Sequence, residues 1–291
     1  MRVKQSQASP TVVIKIAATK IVLLILGCVA TAQQQTSVDP IRIDTIVGDE
    51  IQKQHLVGVT VAIAQDGRIV YSKAFGSADL ENNVAATTGT LIRTGSLAKP
   101  ITAVAAMTLV DSGKLDLDAS VRNYCPSFPE KQWTVTTRQL LNHSSGIRDY
   151  NSGETDNTRH YGSMSEGFAI FAGDDLKFQP GTRYQYSTYG YSVLGCVIEG
   201  AAKQKYFDYL QAHVLAPADM THTFVDDVRA IIRDRARGYH YEAGHDQNAG
   251  LMDSSYKIPG GGLTMTAEDF ARFAIALREG KLVKPETLTL M

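Results

Sequence analysis

The stretch over residues 96–112 constrains the fold more than any other part of the chain. It is rich in Ala, Val, Ile and Leu, is apolar on nearly every side of a helix, and is followed by Gly113. A helix that is apolar all round has no face to present to water, and glycine is a common helix stop. The sequence therefore predicts a buried helix against which other elements pack.

One β-hairpin and several further helices are expected around it. Residues 57–64 and 68–75 are rich in strand-forming residues and meet at Asp66-Gly67, a strong signal for a hairpin turn. Because an isolated hairpin is marginally stable in water, we expect the buried helix to cover one of its faces. Apolar spacing predicts other helices over residues 41–51, 132–142, 163–172, 189–203 and 204–215, and a last one that starts at Thr266.

The first 32 residues have the features of a secretory signal peptide. Basic residues precede the apolar run at 21–26, and Ala30-Thr31-Ala32 forms a small-x-small cleavage site. An N-terminal membrane anchor is the alternative, but the run is well short of the roughly 20 residues of a spanning helix. Lipoprotein anchoring through Cys28 is also open. We expect an exported protein, periplasmic or secreted, whose domain covers residues 33–291 and keeps no stable membrane span after cleavage.

The composition excludes several functional classes. A formal net charge of −1 and a pI near 6.7 give no basic surface, so we expect no nucleic-acid partner. His240, Glu242 and His245 lack the spacing of a metal motif, and neither a metal nor a cofactor is expected. Cys125 and Cys196 could form one disulfide or lie as two buried thiols, and the sequence leaves both readings open.

A candidate nucleophile and a candidate base lie at the start of the buried helix. Ser96 and Lys99 are three positions apart, which puts their Cβ atoms ~5–6 Å from each other on one helical face. A serine hydroxyl needs a base, and a lysine that loses hydration can provide a neutral amine. The helix N-terminus also favours an oxyanion. The alternative is that Ser96 only caps the helix and Lys99 lies at the surface.

The tyrosine-rich segment over residues 184–191 contains a third candidate. A loop tyrosine close to Ser96 and Lys99 could pass a proton to a leaving group, or activate water as a phenolate. Four tyrosines occur in these eight residues, at positions 184, 186, 189 and 191. We expect three of them to pack as ordinary core residues and favour Tyr186 as the functional one.

These residues and several motifs resemble the serine β-lactamase and penicillin-binding-protein superfamily, in its class C-like branch. Ser96-x-x-Lys99 is similar to the first motif, and Tyr186-Ser187-Thr188 to the second, Tyr-x-Asn. The segments at 140–147 and 260–269 resemble two further signatures of the superfamily. Details at 114–118, 128–131 and 145–150 are most similar to the β-lactamase-like serine peptidases. The resemblance runs from about residue 40 to the end of the sequence.

The resemblance implies an α+β fold of the β-lactamase/transpeptidase type. An antiparallel sheet would be flanked by helices, with a mostly helical subdomain inserted over about residues 115–215 and Ser96 at the junction. The superfamily's third motif, Lys-Thr-Gly or His-x-Gly on a later strand, does not occur after the glycine-rich turn. We therefore expect the C-terminal strands to be missing, as in a C-terminally truncated member. Such a chain could be inactive, since loss of one oxyanion donor costs about 100–1,000-fold in rate.

The implied activity is cleavage of an amide or ester in a small-molecule or peptide substrate. Ser96 would form the acyl-enzyme, Lys99 would act as base, and Tyr186 would relay a proton. One alternative is a class C β-lactamase or D-alanyl-D-alanine carboxypeptidase. Another is an inactive truncated relative that binds peptidoglycan or a peptide.

The resemblance also implies residues that contact the substrate, namely Thr188, Gly261 and Gly262. Thr188 stands where the superfamily usually has Asn, and a threonine offers a hydroxyl but no carbamoyl group. This departure favours peptidase or esterase activity over hydrolysis of β-lactams. His143, in the 140–147 signature, is expected to be a structural hydrogen-bonding residue rather than a base.

Overall fold

The computed structural model describes residues 38–291. The signal peptide predicted for residues 1–32, with Cys28, lies outside the described residues. Pro40–Met291 forms one compact unit, and of the other unit, Met1–Asp39, only the last two residues are described.

Along the described chain, helices precede, separate and follow the strands. The α-helices are α1 (Pro40–Gln54), α2 (Ala98–Asp111), α3 (Thr137–Leu141), α4 (Met164–Gly167), α5 (Thr188–Ala202), α6 (Tyr206–Leu210), α7 (Ile258–Gly261), α8 (Ala267–Arg278) and α9 (Pro285–Leu290). Single 3-10 turns occupy Gly95–Leu97, Val121–Asn123, Phe168–Ile170 and Ser255–Lys257, and a π-helical turn occupies Gln211–Leu215. None of the helices described is both long and apolar enough to cross a membrane.

The strands pair into separate, small antiparallel sheets. The strands are β1 (Gly58–Gln65), β2 (Arg68–Asp79), β3 (Val84–Ala85), β4 (Ile92–Arg93), β5 (Thr223–Val225), β6 (Tyr239–Glu242), β7 (His245–Asn248) and β8 (Leu263–Met265). Their orders are β1-β2-β3, β4-β8-β5 and β6-β7. The α+β class expected from the sequence is confirmed, with the sheet divided into pieces. Between residues 94 and 222 the described chain has helices and one isolated bridge, and a separate subdomain over 115–215 stays a prediction.

The predicted hairpin forms, but helices other than the buried one contact it. Asp66 and Gly67 both have positive φ (52° and 77°), as a type I′ turn requires. Consecutive residues of β2 face opposite sides of the sheet, and the Tyr71 hydroxyl reaches Asp44 of α1 at 2.5 Å. The Ser72 hydroxyl reaches Glu268 of α8 at 2.7 Å. The expectation that the buried helix covers the hairpin is therefore wrong, since α1 and α8 have the amphipathic faces for that role.

Helix α2 lies in the core, as its composition predicts. Ile101, Val104 and Leu109 are completely buried, and each such side chain contributes about 1.5–3 kcal/mol relative to exposure. The buried Thr102 hydroxyl donates to the carbonyl of Pro259 at 2.7 Å. Because this bond joins α2 to α7, it fixes the glycine-rich turn against the start of the buried helix.

Three predicted helices are shorter than expected. The helix predicted over 132–142 starts only after Thr136, which caps it and forms a capping box with Gln139. Residues 132–135 form no helix, and the Val135 carbonyl accepts a hydrogen bond from the backbone N–H of Val121 at 2.9 Å. The segments at 163–172 and 204–215 break into α4 and α6, each followed by a turn of different pitch. Helix α9 was not predicted.

A disulfide joins Cys125 to Cys196, which decides between the two readings left open by the sequence. It closes a loop between positions 71 apart and connects the loop after the Val121–Asn123 turn to the middle of α5. A crosslink of this kind stabilises chiefly by restricting the unfolded chain.

Replacing both cysteines (C125A/C196A) is expected to lower the free energy of unfolding by about 2–4 kcal/mol. Denaturant unfolding of the oxidised protein and the double variant measures the difference. Adding a reductant should destabilise the parent protein and leave the variant unchanged. Equal midpoints for parent and variant would contradict the prediction.

Candidate active site

Ser96 lies at the surface, in the 3-10 turn that leads into α2. This turn is held by the preceding residue, Thr94, whose backbone N–H and hydroxyl both donate to the carbonyl of Leu263 at 3.0 Å. Gly95 supplies a positive φ of 51° that few other residues adopt. The turn therefore fixes the serine beside the first residue of β8, with its side chain open to solvent.

Lys99 is one turn further along and is only 5% exposed. Its Nζ lies 3.1 Å from Ser96 Oγ, 3.3 Å from Thr188 Oγ1 and 2.6 Å from the carbonyl oxygen of Gly260. These three groups come from the turn before α2, from the start of α5 and from α7. The alternative of a surface lysine is wrong, because the chain buries Lys99 and surrounds its nitrogen with hydrogen-bond partners.

Tyr186 completes the contacts of the serine. Its hydroxyl donates to Ser96 Oγ at 2.6 Å, and Lys99 Nζ lies 4.6 Å from the centre of its ring. Tyr189 and Tyr191 are buried, whereas Tyr184 is 71% exposed. The structure thus brings together the three residues selected from the sequence, and two of the other tyrosines pack in the core as expected.

His143 supports the tyrosine from behind. Its Nδ1 accepts a hydrogen bond from the backbone N–H of Ser187 at 3.2 Å, and its ring stacks on Tyr186 with centroids 4.5 Å apart. Burial, and then the charge of Lys99, lower the pKa of His143. The neutral ring is the form that can accept from Ser187, with the proton on Nε2. This geometry agrees with the structural role expected of His143.

Thr188 and the glycine-rich turn form the floor beneath Lys99. Thr188 is 3% exposed, and its backbone N–H donates to Asp149 at 2.9 Å. Gly261 lies against Gly95, and Gly262 is buried with its N–H bonded to the carbonyl of Ile258 at 3.0 Å. Contact of Thr188, Gly261 and Gly262 with a substrate stays a prediction.

The sequence reasoning missed Gly260, the glycine that contacts Lys99 directly. A Cβ at this position would lie 2.6 Å from Thr188 Cγ2 and 3.1 Å from the Thr188 carbonyl oxygen. The run of three glycines was the available signal, but it could not show which one faces the lysine.

An ion-pair network supports the segment that holds Thr188. Arg148 is 6% exposed and contacts Glu154 at 2.7 Å and Asp174 at 2.5 Å. Burial acts to raise the pKa of Glu154, but hydrogen bonds from Arg148, Asn151 and Tyr189 outweigh it and lower that pKa. The network fixes the backbone next to Asp149, the acceptor of the Thr188 N–H.

The comparison with family models agrees with this site. The model described as Beta-lactamase matches residues 43–291, most of the chain and all three contacting residues. The chain belongs to the beta-lactamase family.

Two kinds of relative accompany the family match. The human mitochondrial serine beta-lactamase-like protein LACTB is 30% identical over 319 residues, covering 80% of this chain. The octameric penicillin-binding protein homologue from Pyrococcus abyssi superposes with a TM-score of 0.76 at 26% identity over 87% of this chain. EstCE1, described as a hydrolase with promiscuous acyltransferase activity, gives a TM-score of 0.74 at 26% identity, covering 86% of this chain and 75% of EstCE1.

This beta-lactamase-family chain spans only part of the length of the human and archaeal relatives. It spans 58% of the human protein and 59% of the archaeal chain. The comparison with the archaeal chain shows a shared fold over 87% of this chain.

Acid should destabilise the protein through Glu154. A carboxylate whose pKa is lowered on folding adds stability above its unfolded pKa of about 4.3, and loses it as the pH falls through the folded value. E154Q should therefore cost roughly 3 kcal/mol at pH 7, where Arg148 loses a charged partner, and less at pH 3. Urea unfolding between pH 7 and 3 measures both effects. The exposed-site variant E242Q serves as the control, and an E154Q penalty independent of pH would contradict the prediction.

Adding one methyl group at Gly260 should disturb the reactive residues. G260A pushes its Cβ against Thr188, so the acceptors around Lys99 must shift. A displacement of about 1 Å near reacting atoms can cost ~100-fold, and we expect labelling of Ser96 by a fluorophosphonate to slow by at least about tenfold. G250A is the matched control, since nothing lies within 4 Å of a Cβ at Gly250. Equal labelling rates for both variants would show that the turn tolerates the methyl group.

Proposed function

We propose that this chain is an exported serine hydrolase that cleaves an amide or an ester through an acyl-enzyme on Ser96, with Lys99 as base and Tyr186 as proton relay. The observation that carries the proposal is the position of Ser96 Oγ, 3.1 Å from Lys99 Nζ and 2.6 Å from the Tyr186 hydroxyl. A nucleophile within hydrogen-bond reach of its base is the arrangement that covalent catalysis requires.

The other contacts of Lys99 support its role as the base. A neutral amine has two hydrogens and one lone pair. Gly260 O can only accept, and Thr188 Oγ1 can accept as well, so these two take the hydrogens. The lone pair of Lys99 then points to Ser96, which is where a base must receive the serine proton.

The reaction proceeds by two acyl transfers. The Ser96 oxygen forms a bond to the substrate carbonyl carbon as its proton moves to Lys99, and the backbone N–H of Ser96 supplies one donor to the oxyanion. The bond to the leaving nitrogen or oxygen then breaks while Tyr186 delivers a proton to that atom. In the second step water attacks the acyl-enzyme and its proton moves to Tyr186. The bond to Ser96 then breaks, the proton held by Lys99 returns to the Ser96 oxygen, and the acid is released.

The substrate class is supported by Thr188 and by one relative. A threonine side chain has no amide group to offer a substrate. The Thr188 hydroxyl is also already a partner of Lys99. EstCE1, a structural neighbour at 26% identity, is a hydrolase that also transfers acyl groups. The missing amide group at position 188 favours peptidase or esterase chemistry over β-lactam hydrolysis, and the description of EstCE1 agrees with an acyl-transfer mechanism. The Cys125–Cys196 disulfide supports export, because such bonds persist in oxidising compartments.

Intact-mass analysis after exposure to a fluorophosphonate tests the nucleophile. We expect one adduct on the purified chain and none on S96A, and slower labelling of Y186F, whose ring keeps its packing but loses the bond to Ser96. Thermal melts of each variant show that the fold is retained. A folded parent protein without an adduct would overturn the proposal.

Exposure to a penicillin in the same assay separates the alternative activities. A peptidase or esterase should show no lasting penicilloyl adduct and no penicillin turnover. Turnover would instead identify a β-lactamase, and a long-lived adduct on Ser96 a penicillin-binding carboxypeptidase.

A further inference from the structure

Tyr186 lies on a segment whose backbone has no regular structure. Residues 183–187 belong to no helix or strand, and residues 181–185 are exposed. A proton relay must direct its hydroxyl at the leaving atom, and a displacement of about 1 Å near reacting atoms can cost ~100-fold in rate. Because no helix or strand holds Tyr186, its orientation depends on contacts that other parts of the chain make with this segment.

His143 binds the backbone on both sides of Tyr186. Its carbonyl oxygen accepts a hydrogen bond from the N–H of Gln185 at 2.8 Å, and its Nδ1 accepts one from the N–H of Ser187 at 3.2 Å. Its ring stacks on the ring of Tyr186, with centroids 4.5 Å apart. One residue therefore contacts Tyr186 itself and the residues immediately before and after it.

The backbone of His143 has a conformation that few residues adopt. Its φ is 59°, in the left-handed region that only a few per cent of non-glycine residues occupy. It follows the end of α3, and its N–H donates to the carbonyl of Leu140 at 3.3 Å. Such a conformation persists where the surroundings impose it, and it is concentrated at functional sites. Here the carbonyl and the side chain of one residue both accept from the segment that carries Tyr186.

The ring of His143 must be neutral to make its contact with Ser187. Burial, and then the charge of Lys99, lower the pKa of His143, and the carboxylate of Asp149 opposes them. Because the ordinary value is about 6.5, the ring is neutral at pH 7 and its Nδ1 can accept a hydrogen bond. Tyr184 and Tyr191 also contact this ring, with centroids 5.9 and 5.2 Å away, and restrict its movement.

We infer that His143 is a positioning residue that holds the Tyr186 hydroxyl where it can protonate a leaving group. The inference rests on the proposed hydrolase function and adds a residue to it. His143 transfers no proton itself, so its effect on the reaction passes through Tyr186. His143 therefore matters most for substrates whose leaving group must be protonated as it departs.

Two esters of the same acid test this dependence. 4-Nitrophenolate leaves as a stable anion, whereas the leaving oxygen of an ethyl ester needs a proton as its bond breaks. We would compare kcat/KM for ethyl butyrate and 4-nitrophenyl butyrate, after subtraction of spontaneous hydrolysis. The ethyl-to-nitrophenyl ratio should fall by about 100-fold in Y186F and by about tenfold or more in H143A. A ratio that H143A leaves at the parent value would overturn the inference.

A double variant shows whether His143 acts through Tyr186. The proton donor is already absent in Y186F, so the further change H143A should lower the ratio no more in that background. The two effects are then non-additive, as expected for residues that share one task. If H143A lowers the ratio as much in Y186F as in the parent protein, His143 acts by another route and the inference fails.

Two further variants separate positioning from damage to the fold. Asparagine tolerates the left-handed backbone and carries an acceptor oxygen on Cγ, where histidine carries Nδ1. H143N should therefore keep the ratio within about threefold of the parent value, since it loses only the ring stack. His55 is a matched control, because it also has a positive φ, of 52°, and stacks on Tyr241 with centroids 3.8 Å apart. H55A should leave the ratio unchanged, and a fall equal to that of H143A would contradict a positioning role.

Hydrogen exchange separates this inference from the proposed function. Deuterium uptake by peptides that cover residues 183–188 requires no catalysis, and it should be faster in H143A because the Ser187 N–H loses its acceptor. If the parent protein hydrolyses neither ester but this difference is found, the hydrolase proposal fails and the hold of His143 on the Tyr186 segment stands. If both esters are hydrolysed and H143A leaves their ratio unchanged, the inference fails and the hydrolase proposal stands.

Discussion

The site depends on one requirement, that the nitrogen of Lys99 finds acceptors inside the protein. At 5% exposure this nitrogen has lost most of its contact with water, and a buried amine or ammonium without partners is strongly unfavourable. Its hydrogen-bond partners, Ser96, Thr188 and Gly260, lie up to 161 positions away in sequence. Folding that satisfies the lysine therefore also assembles the reactive residues.

The Thr188 side of this arrangement is supported through the backbone. Ser187 caps α5 by accepting from Gly190 N–H at 2.9 Å, and its hydroxyl donates to the carbonyl of Arg148 at 2.8 Å. The next residue, Asp149, accepts from Thr188 N–H. The Arg148 ion pairs fix this segment from below, so a charge network outside the reacting groups determines where Thr188 presents its hydroxyl to Lys99.

Local signals in the sequence predicted the parts of the site that act through distinctive side chains. The spacing of Ser96 and Lys99 on one helical face, and the tyrosine-rich loop with Tyr186, depend on short-range patterns that physical rules can interpret. Gly260 was missed because it acts through a carbonyl group, which every residue possesses. The cover of the hairpin by α8 was also missed, since Ser72 and Glu268 are 196 positions apart and neither residue marks the other.

The contrast in exposure between Ser96 and Lys99 suits the two tasks required of them. Ser96 lies in a 3-10 turn at the surface, where a substrate can reach it, while Lys99 lies one turn later in the apolar core. In that less polar environment charges interact more strongly than in water. In the proposed mechanism, a proton received by Lys99 creates a positive charge close to the negative charge that develops on the substrate oxygen, and the two charges stabilise each other. The apolar composition of α2 thus suits the proposed chemistry as well as the fold, because it buries the proposed base and leaves the proposed nucleophile accessible.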